Sequence, residues 1–130
     1  MTDLVRWAES ELDYRFSNLE LLELALTHRS ASRSNNERLE FLGDAQLSFS
    51  VALLLFAERP DAAEGDLSRA RAALVNRRTL AAIGRRIGID DRLRLGAGEL
   101  SSGGAHRESA LADAVEAVIG AVVQIGRAHV

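Results

Sequence analysis

The stretch from Leu39 to Phe56, LEFLGDAQLSFSVALLLF, is the feature that most restricts how this chain can fold. Wound as a helix, its apolar side chains surround the axis almost completely, the pattern of a buried helix. Yet the segment around its start, NERLEFLGD at 36–44, carries Glu37, Glu40 and Asp44. At about 100° per residue the three acids fall within an arc of about 60°. Carboxylates on one stripe of a buried helix must face protein or a cleft. Gly43 sits among them and costs about 1 kcal/mol relative to alanine in a helix interior. Close approach of a second helix is the expected reason for it.

The rest of the chain reads as further helices. Residues 3–13 form an amphipathic segment carrying Leu4, Val5, Trp7 and Leu12. Ser17 with Glu20 has the spacing of a capping box and opens a helix to Leu26, and Ser34 with Glu37 repeats it before the long helix, which ends near Ala57. Two more helices are expected at 66–75 and 77–87, a helical turn near 98–100, and a last helix at 107–123. No segment sustains a period of two, only Pro60 interrupts 130 residues, and aromatics are 5%. The expected class is all-α.

The last helix supplies a counterpart to the first acid stripe. ALADAVEAVIGA at 110–121 places Asp113 and Glu116 three apart on one face, among Ala110, Ala112, Ala114, Ala117, Gly120 and Ala121. Small residues let two helices pack closely, and Leu111, Val115, Val118 and Ile119 are the expected core. Side by side, the two helices would gather Glu40, Asp44, Asp113 and Glu116. Four clustered, partly buried carboxylates repel, so some protonate or a cation neutralises them. An all-oxygen set suits a hard divalent ion, Mg²⁺ or Mn²⁺, whose chemical use is phosphoryl transfer. Taken singly, each acid has an ordinary explanation: Glu37 as the third helical residue of a capping box, Asp44 or Glu116 as partner of Arg38 or Arg107. Two acid pairs on two Gly/Ala-lined helices favour the metal.

Composition narrows the rest. There is no cysteine, which excludes disulfides and cysteine–zinc sites and fits a reducing compartment, the cytoplasm. Asp3, Glu9 and Glu11 interrupt any apolar run of a signal peptide. The longest apolar run, VALLLFA at 51–57, is too short to span a bilayer, so no membrane is expected. Net charge is −3, giving no bulk signal for nucleic acid. All 16 basic residues are arginine, which excludes lysine chemistry. Arg69, Arg71, Arg77, Arg78, Arg85 and Arg86 read mainly as a solvated helical face. His28 and His106 lack metal-ligand spacing, and Gly103–Gly104 lacks the Gly-Lys-Ser/Thr of a P-loop.

NERLEFLGDAQL resembles the signature of the ribonuclease III family. LELALTHRSAS, EGDLSRARAALVNRRTLA and LRLGAGELSSGGAHRESALADAVEAVIGAV resemble the family's other stretches in the same order. The likeness covers roughly residues 10–123. It implies the all-helical endonuclease-domain bundle and a homodimer that hydrolyses double-stranded RNA, leaving short 3′ overhangs, in rRNA and mRNA processing. It also implies Mg²⁺, with Mn²⁺ as a substitute. Carried over by position, Glu40, Asp44, Asp113 and Glu116 are metal ligands, with Asp44 and Glu116 catalytic. Glu37 is supporting or substrate-facing, Glu64 of EGD contributes near the cleft, and Phe41 packs across the dimer interface.

The resemblance also bounds the domains. Residues 1–124 correspond to the nuclease domain. The last residues, IGRAHV, depart from the family and match the translation of a common sequencing adapter, so 125–130 are expected to be a non-native tail. The C-terminal double-stranded RNA-binding domain of bacterial members is expected to have been cut away. Two rivals remain. A di-iron or di-manganese oxidoreductase would place Glu-x-x-His pairs on facing helices, and no histidine stands there. A non-catalytic, RNA-binding ribonuclease III-like module would lack one or more of the four acids, and all are present.

Overall fold

In a computed structural model, described for residues 3–101 and 105–127, the chain folds into seven helices: α1 (Asp3–Glu11), α2 (Leu19–Ala25), α3 (Glu37–Glu58), α4 (Glu64–Leu74), α5 (Arg77–Arg86), α6 (Ala97–Ser101) and α7 (Ala105–Arg127). A 3₁₀ turn, Ile89–Asp91, follows α5. The one β-type pairing among the described residues is an isolated bridge between Thr27 and Arg94. The class is all-α, as expected. Of the anticipated 125–130 tail, only the α7 backbone to Arg127 lies within the described residues.

The buried helix is α7, not α3. Ala110, Leu111, Ala112, Ala114, Val115, Ala117, Val118 and Ala121 are all buried, with α2, α3, α5 and the 3₁₀ turn packed around them. Alanine on every side of α7 lets its neighbours close in from several directions. In α3 only Leu39, Gly43 and Leu55 are buried, while Phe41, Phe49, Leu53, Leu54 and Phe56 are exposed. The reading of a fully enclosed α3 therefore fails within one protomer. An apolar composition says that a face leaves water, not which molecule covers it. By length and composition alone α3 could also cross a membrane, a point the seven-residue run at 51–57 concealed. Its acids and its packing against α7 give it a place in the bundle instead.

Neither capping box forms. Asn18, not Ser17, caps α2 by accepting from the Glu20 N–H at 3.1 Å. At α3 it is Asn35 that accepts from the Glu37 N–H, at 3.0 Å, and Ser34 plays no part. Asparagine competes for the same orphan N–H groups, and here it is closer to the helix start. Asn36 is itself 2% exposed. Its side chain donates to the Ala25 carbonyl at 3.0 Å and its backbone N–H to Thr27 at 2.9 Å, tying the start of α3 to the end of α2. At the far end of the bundle Trp7 donates to the Ile87 carbonyl at 2.7 Å, with the Arg92 guanidinium 5.3 Å above its ring.

Candidate metal centre

Helices α3 and α7 meet backbone to backbone. A Cβ built on Gly43 would overlap the Glu116 carbonyl and crowd the Gly120 N–H; one on Gly120 would overlap the Leu39 carbonyl. The close approach expected at Gly43 is thus present, and Gly120 answers it from α7. Around α3, Leu39 and Gly43 define this seam, and the acid stripe runs along its edge. On α7, Asp113, Glu116 and Gly120 share one face within about 60°. The same contact that demands two glycines therefore brings the two acid pairs together.

Ligand oxygens of Glu40, Asp113 and Glu116 lie within 4.8 Å of one another. Asp44, exposed one turn beyond Glu40, interacts with Glu116 by hydrogen bond and by charge. Glu116 is 8% exposed and Glu40 half-buried. Burial is the main force raising both carboxyls. Glu116 is pushed up to about 8, further raised by its hydrogen bond with Asp44 and by the charges of Asp44, Glu40 and Asp113. Glu40 is pushed up to about 7, with the charge and hydrogen bond of Asp113 next and the charge of Glu37 after them. Arg29 opposes that rise.

Among the described residues no arginine forms an ion pair with any of the four acids. The pairs present are Arg15–Glu9, Arg69–Asp66, Arg92–Asp3 and Arg94–Glu23. Arg38 is exposed and Arg107 keeps its Nε buried without a partner, so neither serves Asp44 or Glu116. Mutually repelling carboxylates with no arginine ion-paired to them, and oxygen atoms spaced for shared coordination, suit a hard divalent ion.

The other candidates fall in different places. Glu37 is exposed at the start of α3 and its charge reaches Glu40. Glu64 opens α4 and borders a cavity of about 200 Å³ with Ala52, Leu55, Phe56, Leu67, Ser68 and Arg71. That part of α3 lies roughly 12–24 Å along the axis from Glu40 and Asp44, so Glu64 does not join the cluster within one protomer. Phe41 is 80% exposed, beside the acid stripe. Neither the role of Asn36 nor a network at His28 was foreseeable from the chain. There the Ser30 N–H, at 3.1 Å, and the Ser30 hydroxyl, at 2.7 Å, both reach His28 Nδ1, while the Gly96 N–H donates to Ser30 Oγ at 2.9 Å. A buried histidine inside a polar run, THRS, was its only signal.

Comparison with known proteins gives a consistent result. The Ribonuclease-III-like family pattern matches residues 18–128. Ribonuclease 3 of Vibrio vulnificus strain YJ016 is 60% identical over 112 residues, covering 86% of this chain and 50% of that protein. Ribonuclease 3 of Vibrio cholerae is 56% identical over 122 residues, 94% of this chain and 54% of that protein. The chain spans about half the length of the curated relatives it matches. The nuclease domain of ribonuclease III from Campylobacter jejuni superposes with a TM-score of 0.87 at 45% identity, covering 92% of this chain and 85% of that one. Dicer from Pichia stipitis superposes at 0.66 and 32% identity, over 87% of this chain and 50% of that one. With the pattern matched over most of its length, the chain belongs to the ribonuclease-III-like family.

Proposed function

We propose that this chain is the nuclease domain of an endoribonuclease that hydrolyses phosphodiester bonds in double-stranded RNA. The observation that carries the reading is the meeting of two acid pairs across the Gly43–Gly120 seam with no arginine ion-paired to them among the described residues. Glu40, Asp44, Asp113 and Glu116 would hold Mg²⁺, with Mn²⁺ as substitute. When bound, such an ion supplies Lewis-acid polarisation of the phosphate and a more acidic water. The chain's own part is to fix the geometry. Glu40, Asp113 and Glu116 present oxygens from rigid helices, and Asp44 and Glu116 are the pair assigned to catalysis. Asp44, being exposed, faces the approaching strand. Glu37 faces substrate at the open edge.

The exposed face of α3 suits a homodimer. Phe41, Phe49, Leu53 and Phe56 share an arc of about 120° on one helix, an apolar surface a monomer rarely leaves uncovered. The Campylobacter jejuni nuclease domain has a region involved in dimer formation. Two clusters in one dimer would cut the two strands, leaving short 3′ overhangs. Glu64, beside Phe56, reaches the shared cleft only through the partner. Cellular rRNA and mRNA precursors in the cytoplasm are the substrates this reading assigns.

Incubating the chain with long duplex RNA, with and without Mg²⁺, tests it. Shortening of the duplex only with Mg²⁺, and no shortening of single strands, is expected. Intact duplex at every Mg²⁺ and Mn²⁺ concentration would overturn the reading.

A further inference from the structure

One arginine near the cluster is held in an unusual way. The Ala31 N–H donates to the His28 carbonyl at 2.9 Å, closing a four-residue turn with Arg29 and Ser30 at its corner. Three further ties fix that turn. The His28 N–H donates to the Arg94 carbonyl at 3.0 Å. The Ser30 hydroxyl bonds His28 Nδ1 and accepts from the Gly96 N–H, and because Ser30 N–H also donates to Nδ1, the ring proton belongs on Nε2. At Gly96 a Cβ would overlap the Ser30 carbonyl, so the two loops touch backbone to backbone. The Asn36 N–H then joins Thr27 to the residue that precedes α3. Glu40 follows one turn later.

Arg29 thus stands on a rigid turn tied to the residue that precedes α3, one helical turn before Glu40. It is exposed, and among the described residues it forms no ion pair. Arg92 and Arg94, from the loop that braces it, are both paired, with Asp3 and Glu23. The charge of Arg29 is nevertheless felt at Glu40. An arginine placed to neutralise the acids would bond to one of them. An arginine placed to receive an anion would stand close, fixed at its base and open at its tip. A polyanion approaching four carboxylates meets repulsion, and a positive group at the rim offsets it. Guanidinium suits that task because its fork of donors matches two phosphate oxygens.

We propose that Arg29 binds a backbone phosphate of duplex RNA at the rim of the carboxylate cluster and so positions the strand that is to be cut. This rests on the nuclease reading above. Arg29 is a positioning residue: its guanidinium holds a phosphate neighbouring the reacting one, and it moves no proton.

The test compares the wild-type chain with Arg29→Gln and Arg29→Lys, reading duplex RNA binding by gel shift at several salt concentrations and cleavage with Mg²⁺. Arg29→Gln should weaken binding several-fold, and the slope of log affinity against log salt should fall by about one for each Arg29 engaged. KM should rise while kcat changes little, and the melting temperature should hold because the side chain is exposed. Arg29→Lys should recover the salt slope, since the charge remains. An unchanged slope with unchanged KM would overturn the proposal. So would a loss confined to kcat with an altered Mg²⁺ requirement, which would make Arg29 a partner of Glu40. A wild-type chain that binds duplex RNA without cutting it overturns the nuclease reading, while the Arg29 slope still decides this one.

Discussion

The two sides of α3 have similar apolar sequence and opposite surroundings. Toward α7 the helix shows Leu39 and Gly43, both buried, and the contact is so close that a methyl group at Gly43 would not fit. Away from α7 it shows Phe41, Phe49, Leu53 and Phe56, all more than half exposed. The acid stripe runs between the two. One side is finished within the protomer by small residues and backbone contact; the other offers large side chains to something outside it. The α3 acids proposed for catalysis sit at this boundary, on a strip both anchored by the seam and open to solvent.

The sharpest way to break the comparison is to change the strip itself. Glu116→Gln or Asp44→Asn keeps size and removes a charge from a cluster that repels, so the fold should stand. Cleavage should drop by roughly 10³-fold or more, about 4 kcal/mol of barrier. Retained RNA binding, checked by gel shift, separates lost chemistry from lost structure, because phosphate and 2′-hydroxyl contacts lie elsewhere. A variant that cleaves at near wild-type rate removes that carboxylate from the site.

Next in size is the finished side. Gly43→Ala places a methyl against the Glu116 carbonyl and the Gly120 N–H, neither of which can swing aside as a side chain would. Overpacking of this kind costs about 3 kcal/mol, so a thermal melt should fall by roughly 10 °C. The same alanine would be neutral or stabilising in a helix that nothing approached. The outcome therefore reports on the seam alone.

This division was only partly legible in the chain. The acid pairs were readable because helical periodicity is a local property: Glu40 with Asp44, and Asp113 with Glu116, fall on one face whatever else happens. Gly43 was readable for the same reason, as a helix-interior glycine with no local excuse. What covers α3 was not, since burial depends on neighbours distant in sequence or on another chain. Asn18 and Asn35 capped where serines were expected, because cap choice turns on one residue of register. Asn36 and His28 were hidden in polar runs whose bonds reach Ala25 and Gly96. Glu64 shows the remaining limit: its motif suggested the cleft, but the fold of one protomer leaves it beside Phe56.

The open side predicts a third effect. Phe41 is 80% exposed, so Phe41→Ala should leave the protomer's own melting nearly untouched. Buried across a two-fold interface, the two rings together should contribute about 2 kcal/mol, and their loss should raise the dimer dissociation constant roughly thirtyfold. Sedimentation across a concentration series checks this. Equal dissociation constants would mean that Phe41 lies outside the interface.

The smallest effect is a pH dependence that the strip alone should confer. Both Glu40 and Glu116 have carboxyls raised in the folded protein, to about 7 and about 8, from an ordinary value of 4.5. Between these limits the folded chain holds protons that the unfolded chain has released. Stability therefore falls as pH rises through the window, since the unfolded state binds fewer protons there. Without divalent ion, the melting temperature should drop by a few degrees from pH 5 to pH 8. Asp3, held below its ordinary range by Arg92, acts at lower pH and leaves this window clear. Mg²⁺ should reverse the trend at pH 8, where the acids are charged and bind it best, and should do little at pH 5, where protons compete. Glu116→Gln should flatten the metal-free curve and blunt the Mg²⁺ response together, because one carboxylate causes both. If the metal-free protein instead grew more stable toward pH 8, the acids would have an unrecognised cationic partner, and the case for a metal at this edge of α3 would fail with it.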